Sequence, residues 1–222
     1  MKLALFDLDG TLLPLDSDHA FGEFVVQLGW ADAAEHARRN DAFFHDYQAG
    51  RLDIHAYIDF ATAAWRDRSL PDIALAFERF MKEVIRPSLR DSAKALVEQH
   101  RRDGHVLAVV TATNDFITRP IAQAFGIDHL LATELECDAH GRPTGKIQGT
   151  ASLREGKVSR VEQWLASRGT PARDFESITF YGDSTNDLPL LEWVSHPVAT
   201  NPGPALAAVA AQRGWPVLQL FE

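Results

Sequence analysis

Leu3-Ala4-Leu5-Phe6-Asp7-Leu8-Asp9-Gly10-Thr11 is the stretch that decides the fold, because an apolar run without alternation ends abruptly in two carboxylates and a glycine. A short continuous run of this kind reads as a strand buried on both faces, the signature of a parallel sheet. Working outward, the same pattern returns at Val106-Leu107-Ala108-Val109-Val110 and at Ile178-Thr179-Phe180-Tyr181. Segments of helical period at 88–103, 114–125 and 155–168 supply the crossovers that parallel strands require. The expected fold is therefore α/β, a doubly wound parallel (Rossmann-like) sheet formed by residues 1–15 and 87–222. Residues 16–86 carry no strand pattern but several amphipathic stretches, such as Ile73-Ala74-Leu75-Ala76-Phe77 continuing to Phe80-Met81 and Val84, and read as an inserted α-helical subdomain. Pro14 and Arg86-Pro87 mark the expected hinges, and the glycines and proline of 134–150 predict a hairpin.

Composition narrows the function. The 222 residues are 45% apolar and 24% charged, with 14 Gly and 11 Pro, the profile of an ordinary globular chain. No apolar stretch reaches the roughly 20 residues of a membrane span, and Met1-Lys2 leads straight into the acidic motif rather than into a cleavable apolar segment, so a cytoplasmic protein without a membrane partner is expected. A net charge of −9 lacks the clustered Lys and Arg that bind phosphate backbones, which argues against nucleic acid and for a small ligand. The single cysteine, Cys137, allows neither an intrachain disulfide nor a thiolate metal cluster. The nine histidines show no ligand spacing, and His19, His36, His45 and His55 fall in the helical insertion, where structural roles are expected for them and for its aromatic residues.

In an open α/β sheet, ligands bind beyond the carboxyl ends of the strands. There, Asp7 and Asp9 share a face by the two-residue period of an extended chain, and Gly10 permits a sharp turn. An Asp-Gly turn with only local bonding is the bland explanation, but two carboxylates at a buried strand end repel unless a cation or proton compensates. The third run ends in Gly182-Asp183-Ser184-Thr185-Asn186-Asp187, with Pro189 in the first turn of a helix. Asp183 and Asp187 could serve merely as cap and dipole partners, yet beside Asp7 and Asp9 they complete a set of four carboxylates suited to Mg²⁺. Thr111-Ala112-Thr113-Asn114, at a helix start, offers a hydroxyl and free amides to a phosphate, although Thr and Asn also cap helices routinely. Lys157 lies on the face that carries Val161 and Trp164, so it projects inward, to fix a phosphate or offset charge on a nucleophile; a stem snorkelling along the sheet edge is the alternative.

Taken in order, Asp7-Leu8-Asp9-Gly10-Thr11, Thr111, Lys157 and Gly182-Asp183-Ser184-Thr185-Asn186-Asp187 resemble the four motifs of the haloacid dehalogenase superfamily of phosphotransferases. The helical insertion after the first motif, with Gly156-Lys157-Val158, is similar to the branch containing phosphoserine phosphatases and histidinol-phosphate phosphatases, in which the insertion is a cap. The resemblance covers nearly the whole chain and implies a Mg²⁺-dependent phosphomonoester hydrolase acting on a small phosphorylated metabolite. It implies Asp7 as the nucleophile that becomes an aspartyl-phosphate, Asp9 as general acid and then base, and Thr111, Ala112, Asn114 and Lys157 as phosphate-binding. Asp7, Asp9 (through its carbonyl), Asp183 and Asp187 are implied as the Mg²⁺ site. A phosphomutase or other phosphotransferase would share every motif, whereas a phospho-Asp signalling module would need neither Asp9 as an acid nor an insertion of this length.

The chain departs from the phosphoserine phosphatase pattern where the substrate carboxylate is gripped. Asp16 stands at that pattern's Glu position, Ala61 at its Arg position, and Thr111-Ala112-Thr113-Asn114 replaces Ser-Gly-Gly-Phe. Without that Arg, a phosphorylated amino alcohol lacking a carboxylate is expected, with Asp16 pairing its ammonium group. Histidinol phosphate fits best, phosphoserine is the alternative, and Arg51 or Arg66 is the substitute the alternative would need.

Overall fold

The computed structural model describes residues 1–221. β1 (Lys2–Phe6) is followed by a purely helical excursion: α1 (Ser17–Gln27), α2 (Ala33–Gln48), α3 (Ile54–Ala63), α4 (Leu70–Phe80), a π turn at Met81–Ile85, and α5 (Arg86–Ser88). Then come α6 (Asp91–Arg102), β2 (Val106–Asn114), α7 (Asp115–Ala124), β3 (His129–Thr133), and the antiparallel hairpin of β4 (Leu135–Cys137) and β5 (Pro143–Ile147). The chain closes with α8 (Glu155–Ser167), β6 (Ser177–Gly182), α9 (Leu188–Trp193), β7 (His196–Thr200), α10 (Pro204–Arg213) and β8 (Val217–Leu218). The six sheet strands lie in the order β3-β2-β1-β6-β7-β8, and every neighbouring pair is parallel. This is the doubly wound α/β sheet expected. Its order reverses beside β1, so the crevice beyond the ends of β1, β2 and β6 is the place for a ligand.

The pleat of β1 sorts the core into two layers. Ala4 and Phe6 face a cluster that includes Val97, Ile117 and Ile121 of α6 and α7, while Leu3 and Leu5 face Val161, Leu165 and Leu190 of α8 and α9. The first cluster continues into the helical insertion through Phe21, Phe24, Ile58, Trp65 and Phe80. Phe21 stacks on Phe77 at 4.8 Å within the insertion, and Trp65 meets Phe116 of α7 at 5.7 Å, so aromatic contact seats the insertion on α7. The β4–β5 hairpin, expected within 134–150, packs against α3. Gly145 is required there, because at φ +86° an added Cβ would also lie 2.0 Å from Arg66 Nη1.

Two local expectations change. Arg86-Pro87 is not a break: the chain stays helical from Leu70 to Ser88, with Pro87 in the first turn of α5 and the Arg86 N–H bonded to the Met81 carbonyl across the π turn. The helix ends at Leu89, whose backbone is extended. β2 also runs past Val110, because a bulge between Val110 and Asn114 lets Asn114 pair with Thr133. Thr111 therefore lies inside the strand rather than beyond it.

Candidate active site

Asp7 follows β1 directly, with the parity of Leu3 and Leu5, and so turns toward the layer that holds α8. Its N–H donates to the Tyr181 carbonyl at 2.9 Å, and its Oδ1 accepts from the Leu8 N–H at 2.8 Å. From the first turn of α8, Lys157 reaches the same oxygen at 3.0 Å and donates to Asp187 Oδ1 at 2.6 Å. Lys157 is 0% exposed and Asp7 2%, so these charges interact with little screening by water. Asp187 Oδ2 accepts from the N–H groups of Asp183 and Ser184 at 3.2 and 3.3 Å, folding the loop after β6 back on itself. Gly182 is needed for this turn, since an added Cβ would lie 2.8 Å from Asp187 Oδ2.

The charges do not balance. Burial, reinforced by Asp187, pushes both Asp7 and Asp183 well above the ordinary carboxylate range, although Lys157 pulls each down. Burial alone would lower the Lys157 ammonium, but Asp187 and Asp7 together hold it above its ordinary value. Asp7, Asp183 and Asp187 each present an oxygen within 4.8 Å of the others, and Asp183 Oδ1 is buried with no hydrogen-bond partner. An unpaired buried carboxylate oxygen facing two further carboxylates is a donor set that fits a hard divalent cation. Asp187 lies close to the other two carboxylates, but with both oxygens already bonded it acts on the site chiefly through Lys157 and the loop.

Asp9 sits in a different environment. Its Oδ1 accepts from the Ser17 N–H at 2.9 Å and its Oδ2 from the Thr113 hydroxyl at 2.8 Å. Burial, and then the neighbouring Asp16, raises its pKa to about 7, with the Ser17 and Thr113 bonds pulling back. A carboxyl group poised there exchanges a proton readily at neutral pH. Thr113 carries this contact and escaped the sequence reading, because a second Thr in Thr111-Ala112-Thr113 looks like routine strand or cap chemistry.

A cavity opens beside Asp7 and Asp9. Its lining includes Thr111, Ala112 and Thr113 from β2 and, from the insertion, Asp16, Asp18, Phe43, Phe44, Tyr47 and Tyr57. Thr111 and Ala112 thus border the same cavity as Asp7 and Asp9. Asn114 is not among the lining residues: its Oδ1 caps α7 by accepting from Ile117 N–H, and one of its two Nδ2 hydrogens goes to Asp18 Oδ1 at 3.2 Å. At the helix start, Asn is a favoured cap. Asp16 is the N-cap of α1, accepting from His19 N–H at 2.8 Å, and it lines the cavity. Asp18 is a residue that pattern reading missed, since an acid in the first turn of a helix is ordinary dipole chemistry. It is 7% exposed, and burial, then Asp16 and Asp9, push it well above the usual carboxylate range, against a bond from Tyr57.

Among the described residues, no Lys or Arg lines this cavity. Arg51 pairs with Asp46 at 2.7 Å and Arg66 with Asp59 at 2.6 Å, both outside it, and Ala61 packs against the apolar cluster.

Comparison with known proteins agrees with this geometry. The haloacid dehalogenase-like hydrolase family model matches residues 4–192. A histidinol-phosphatase of Neisseria meningitidis serogroup C is 44% identical over 98% of this chain and 98% of its own. A crystal structure of a Bordetella pertussis Tohama I protein of unknown function is 49% identical, with a TM-score of 0.93 and 99% of each chain covered. Substrate-bound phosphoserine phosphatase shares the fold at 18% identity and a TM-score of 0.69, covering 98% of this chain and 92% of that one. From the first strand to the helix after the last acidic loop, the chain belongs to the haloacid dehalogenase-like hydrolase family.

Proposed function

We propose that the protein is a Mg²⁺-dependent phosphomonoester hydrolase whose substrate is histidinol phosphate. The observation that carries the substrate is the cavity beside Asp7: Asp9, Asp16 and Asp18 share it with aromatic side chains and with no Lys or Arg. Burial raises all three carboxyl groups, Asp16 adds to the rise at Asp9 and Asp18, and such a group of acids favours a ligand bringing positive charge. A phosphorylated amino alcohol with an imidazole ring supplies that charge and a flat surface for Phe43, Phe44, Tyr47 and Tyr57. The name carried by the Neisseria relative points the same way.

In this reading Asp7 attacks phosphorus through Oδ2, because Oδ1 is already held by Leu8 N–H and Lys157. The P–O bond to the leaving group breaks as the new O–P bond forms, and Asp9 gives its proton to the departing alkoxide. Asp9, now ionised, takes a proton from water, which attacks the aspartyl-phosphate and releases inorganic phosphate and Asp7. Lys157 and Thr111 hold the phosphoryl oxygens, and helices α1 to α5 act as a cap that excludes bulk water during the first step. Asp7, Asp183 and the Asp9 carbonyl would hold Mg²⁺, with Asp187 orienting the loop. When bound, the cation would neutralise charge on the phosphoryl group and keep Asp7 ionised. The bonding of Asp9 to Ser17 and Thr113 favours hydrolysis over a phospho-Asp signalling role, which requires no acid at that position.

Two outcomes are expected. EDTA should abolish activity and added Mg²⁺ restore it; a chelated sample that works at its original rate would show that the carboxylates serve something else. In steady-state kinetics, kcat/KM for L-histidinol phosphate should exceed that for L-phosphoserine by at least about 100-fold, because an unpaired substrate carboxylate beside Asp16 and Asp18 costs several kcal/mol. A phosphoserine value equal to or above that for histidinol phosphate overturns the substrate assignment and restores the alternative.

A further inference from the structure

Arg154 stands outside the machinery described so far, yet three features converge on it. Its backbone has φ 52° and ψ −119°, a conformation that glycine adopts freely and other residues rarely do. It immediately precedes α8, three residues before Lys157, in a turn so tight that a Cβ on Gly156 would lie 1.9 Å from the Ala151 carbonyl oxygen. Its side chain bridges two separate parts of the molecule. Nε donates to Asn186 Oδ1 at 3.3 Å, while the guanidinium lies against Gly50, where an added Cβ would be 2.9 Å away. Gly50 has φ +68° and sits in the turn between α2 and α3.

Asn186 completes the connection. It is 3% exposed, its Nδ2 donates to the Tyr47 carbonyl near the end of α2 at 2.9 Å, and its chain neighbour Asp187 holds Lys157. Arg154 and Asn186 therefore grip the same short stretch of the insertion, Tyr47 to Gly50, from the two core loops that place Lys157 and Asp187. Tyr47 itself lines the cavity beside Asp7.

We propose that Arg154 is a positioning residue that latches the cap over the phosphoryl site, so that closure and the alignment of Lys157 are fixed together. The inference rests on the phosphatase reading, but not on which phosphomonoester is the substrate. A non-glycine residue in a glycine conformation persists where its side chain makes contacts that glycine cannot, and here those contacts run between cap and core. Local opening at Tyr47 to Gly50 requires that Arg154 give up Asn186 and Gly50 and that Asn186 give up the Tyr47 carbonyl, while the apolar contact of Trp65 with Phe116 stays in place.

Arg154→Gly tests this, because glycine relieves the backbone while deleting the latch. The variant should melt at or above the wild-type temperature. Trypsin cleavage after Arg51, in the turn that Arg154 covers, should accelerate at least about threefold as the cap opens locally more often. With p-nitrophenyl phosphate, kcat should fall about tenfold as Lys157 loses its fixed placement. Arg154→Lys should recover part of the loss, since an ammonium can still donate to Asn186 Oδ1 but cannot also cover Gly50. Unchanged cleavage after Arg51 overturns the latch whatever activity does, and faster cleavage with unchanged kcat overturns the positioning role. A melting temperature that falls in Arg154→Gly, with cleavage unchanged, assigns Arg154 to stability alone. Because p-nitrophenyl phosphate is the probe, failure on histidinol phosphate would count against the proposed substrate and leave this test intact.

Discussion

Asp7→Asn is expected to eliminate hydrolysis of every phosphomonoester while leaving the fold in place. An amide has no lone pair suited to attack phosphorus, and the neighbouring carboxylates are committed elsewhere: Asp9 is held by Ser17 and Thr113, Asp187 by Lys157 and its own loop, and Asp183 faces the proposed cation site. Residues that act as a unit lose nearly all their acceleration when the nucleophile goes, so a fall in kcat of at least about 10⁴-fold is expected. Stability should move the other way. Asp7 has its folded pKa raised by burial and by Asp187, so the stability it contributes is fully present below its ordinary pKa and is lost as pH rises through the folded value. At pH 7, above the ordinary carboxylate value, the buried carboxyl costs stability that asparagine does not, and Lys157 keeps one carboxylate, Asp187. Asp7→Asn should thus melt at or above the wild-type temperature at pH 7, with the difference shrinking toward pH 4. Activity at a tenth of wild type or more would sink the nucleophile assignment; a melting temperature well below wild type would contradict the charge argument.

How much of this was legible in the sequence follows from where each residue sits. β1, β2 and β6 lie at the centre of the sheet, so both faces are buried and the chain must be apolar throughout; they were found from pattern alone. β3, β7 and β8 were not, because β3 and β8 are edge strands and β7 carries the partly exposed His196 and Pro197. Asp7, Asp9 and Asp183 stood out because carboxylates at buried strand ends conflict with the local pattern unless they have a function. Asp18, Thr113 and Arg154 did not stand out, for the opposite reason: an acid in a first helical turn, a Thr in a strand and an Arg before a helix all satisfy local rules. Their significance comes from contacts across the fold, Asp18 with Asn114 across 96 residues and Thr113 with Asp9 across 104. Asn114 is the converse case, a residue whose motif position drew attention while its amide was already committed to capping α7.

Replacing Lys157 by methionine should have the largest effect on stability of any single change in the site. Methionine matches the length of the side chain and keeps an apolar group beside the Phe180 ring, 5.9 Å from the Lys157 Nζ, so what is lost is the charge. Asp7 and Asp187 would then face each other at 3% and 0% side-chain exposure without the ammonium that lies 3.0 and 2.6 Å from them. Removing one partner from a buried ionic group costs about 3–5 kcal/mol, a large part of the roughly 5–15 kcal/mol that holds a domain together. For a chain of this size that corresponds to a fall in melting temperature of roughly 6–20 °C at pH 7. The sign with pH is fixed by Asp7: its folded pKa, already raised, climbs further without Lys157, so the penalty is greatest near neutrality and recedes as the pH falls toward about 4 and the carboxyl is protonated in both states. A second substitution separates stability from catalysis. Lys157→Met combined with Asp187→Asn removes one of the two stranded charges and should regain part of the melting temperature. Activity should stay lost in the pair, since nothing then holds the phosphoryl oxygens on that side of Asp7. A Lys157→Met protein that melts within about 2 °C of wild type at pH 7 would show that the carboxylates find another counter-charge, and the imbalance argued here for Asp7, Asp183 and Asp187 would lose its basis.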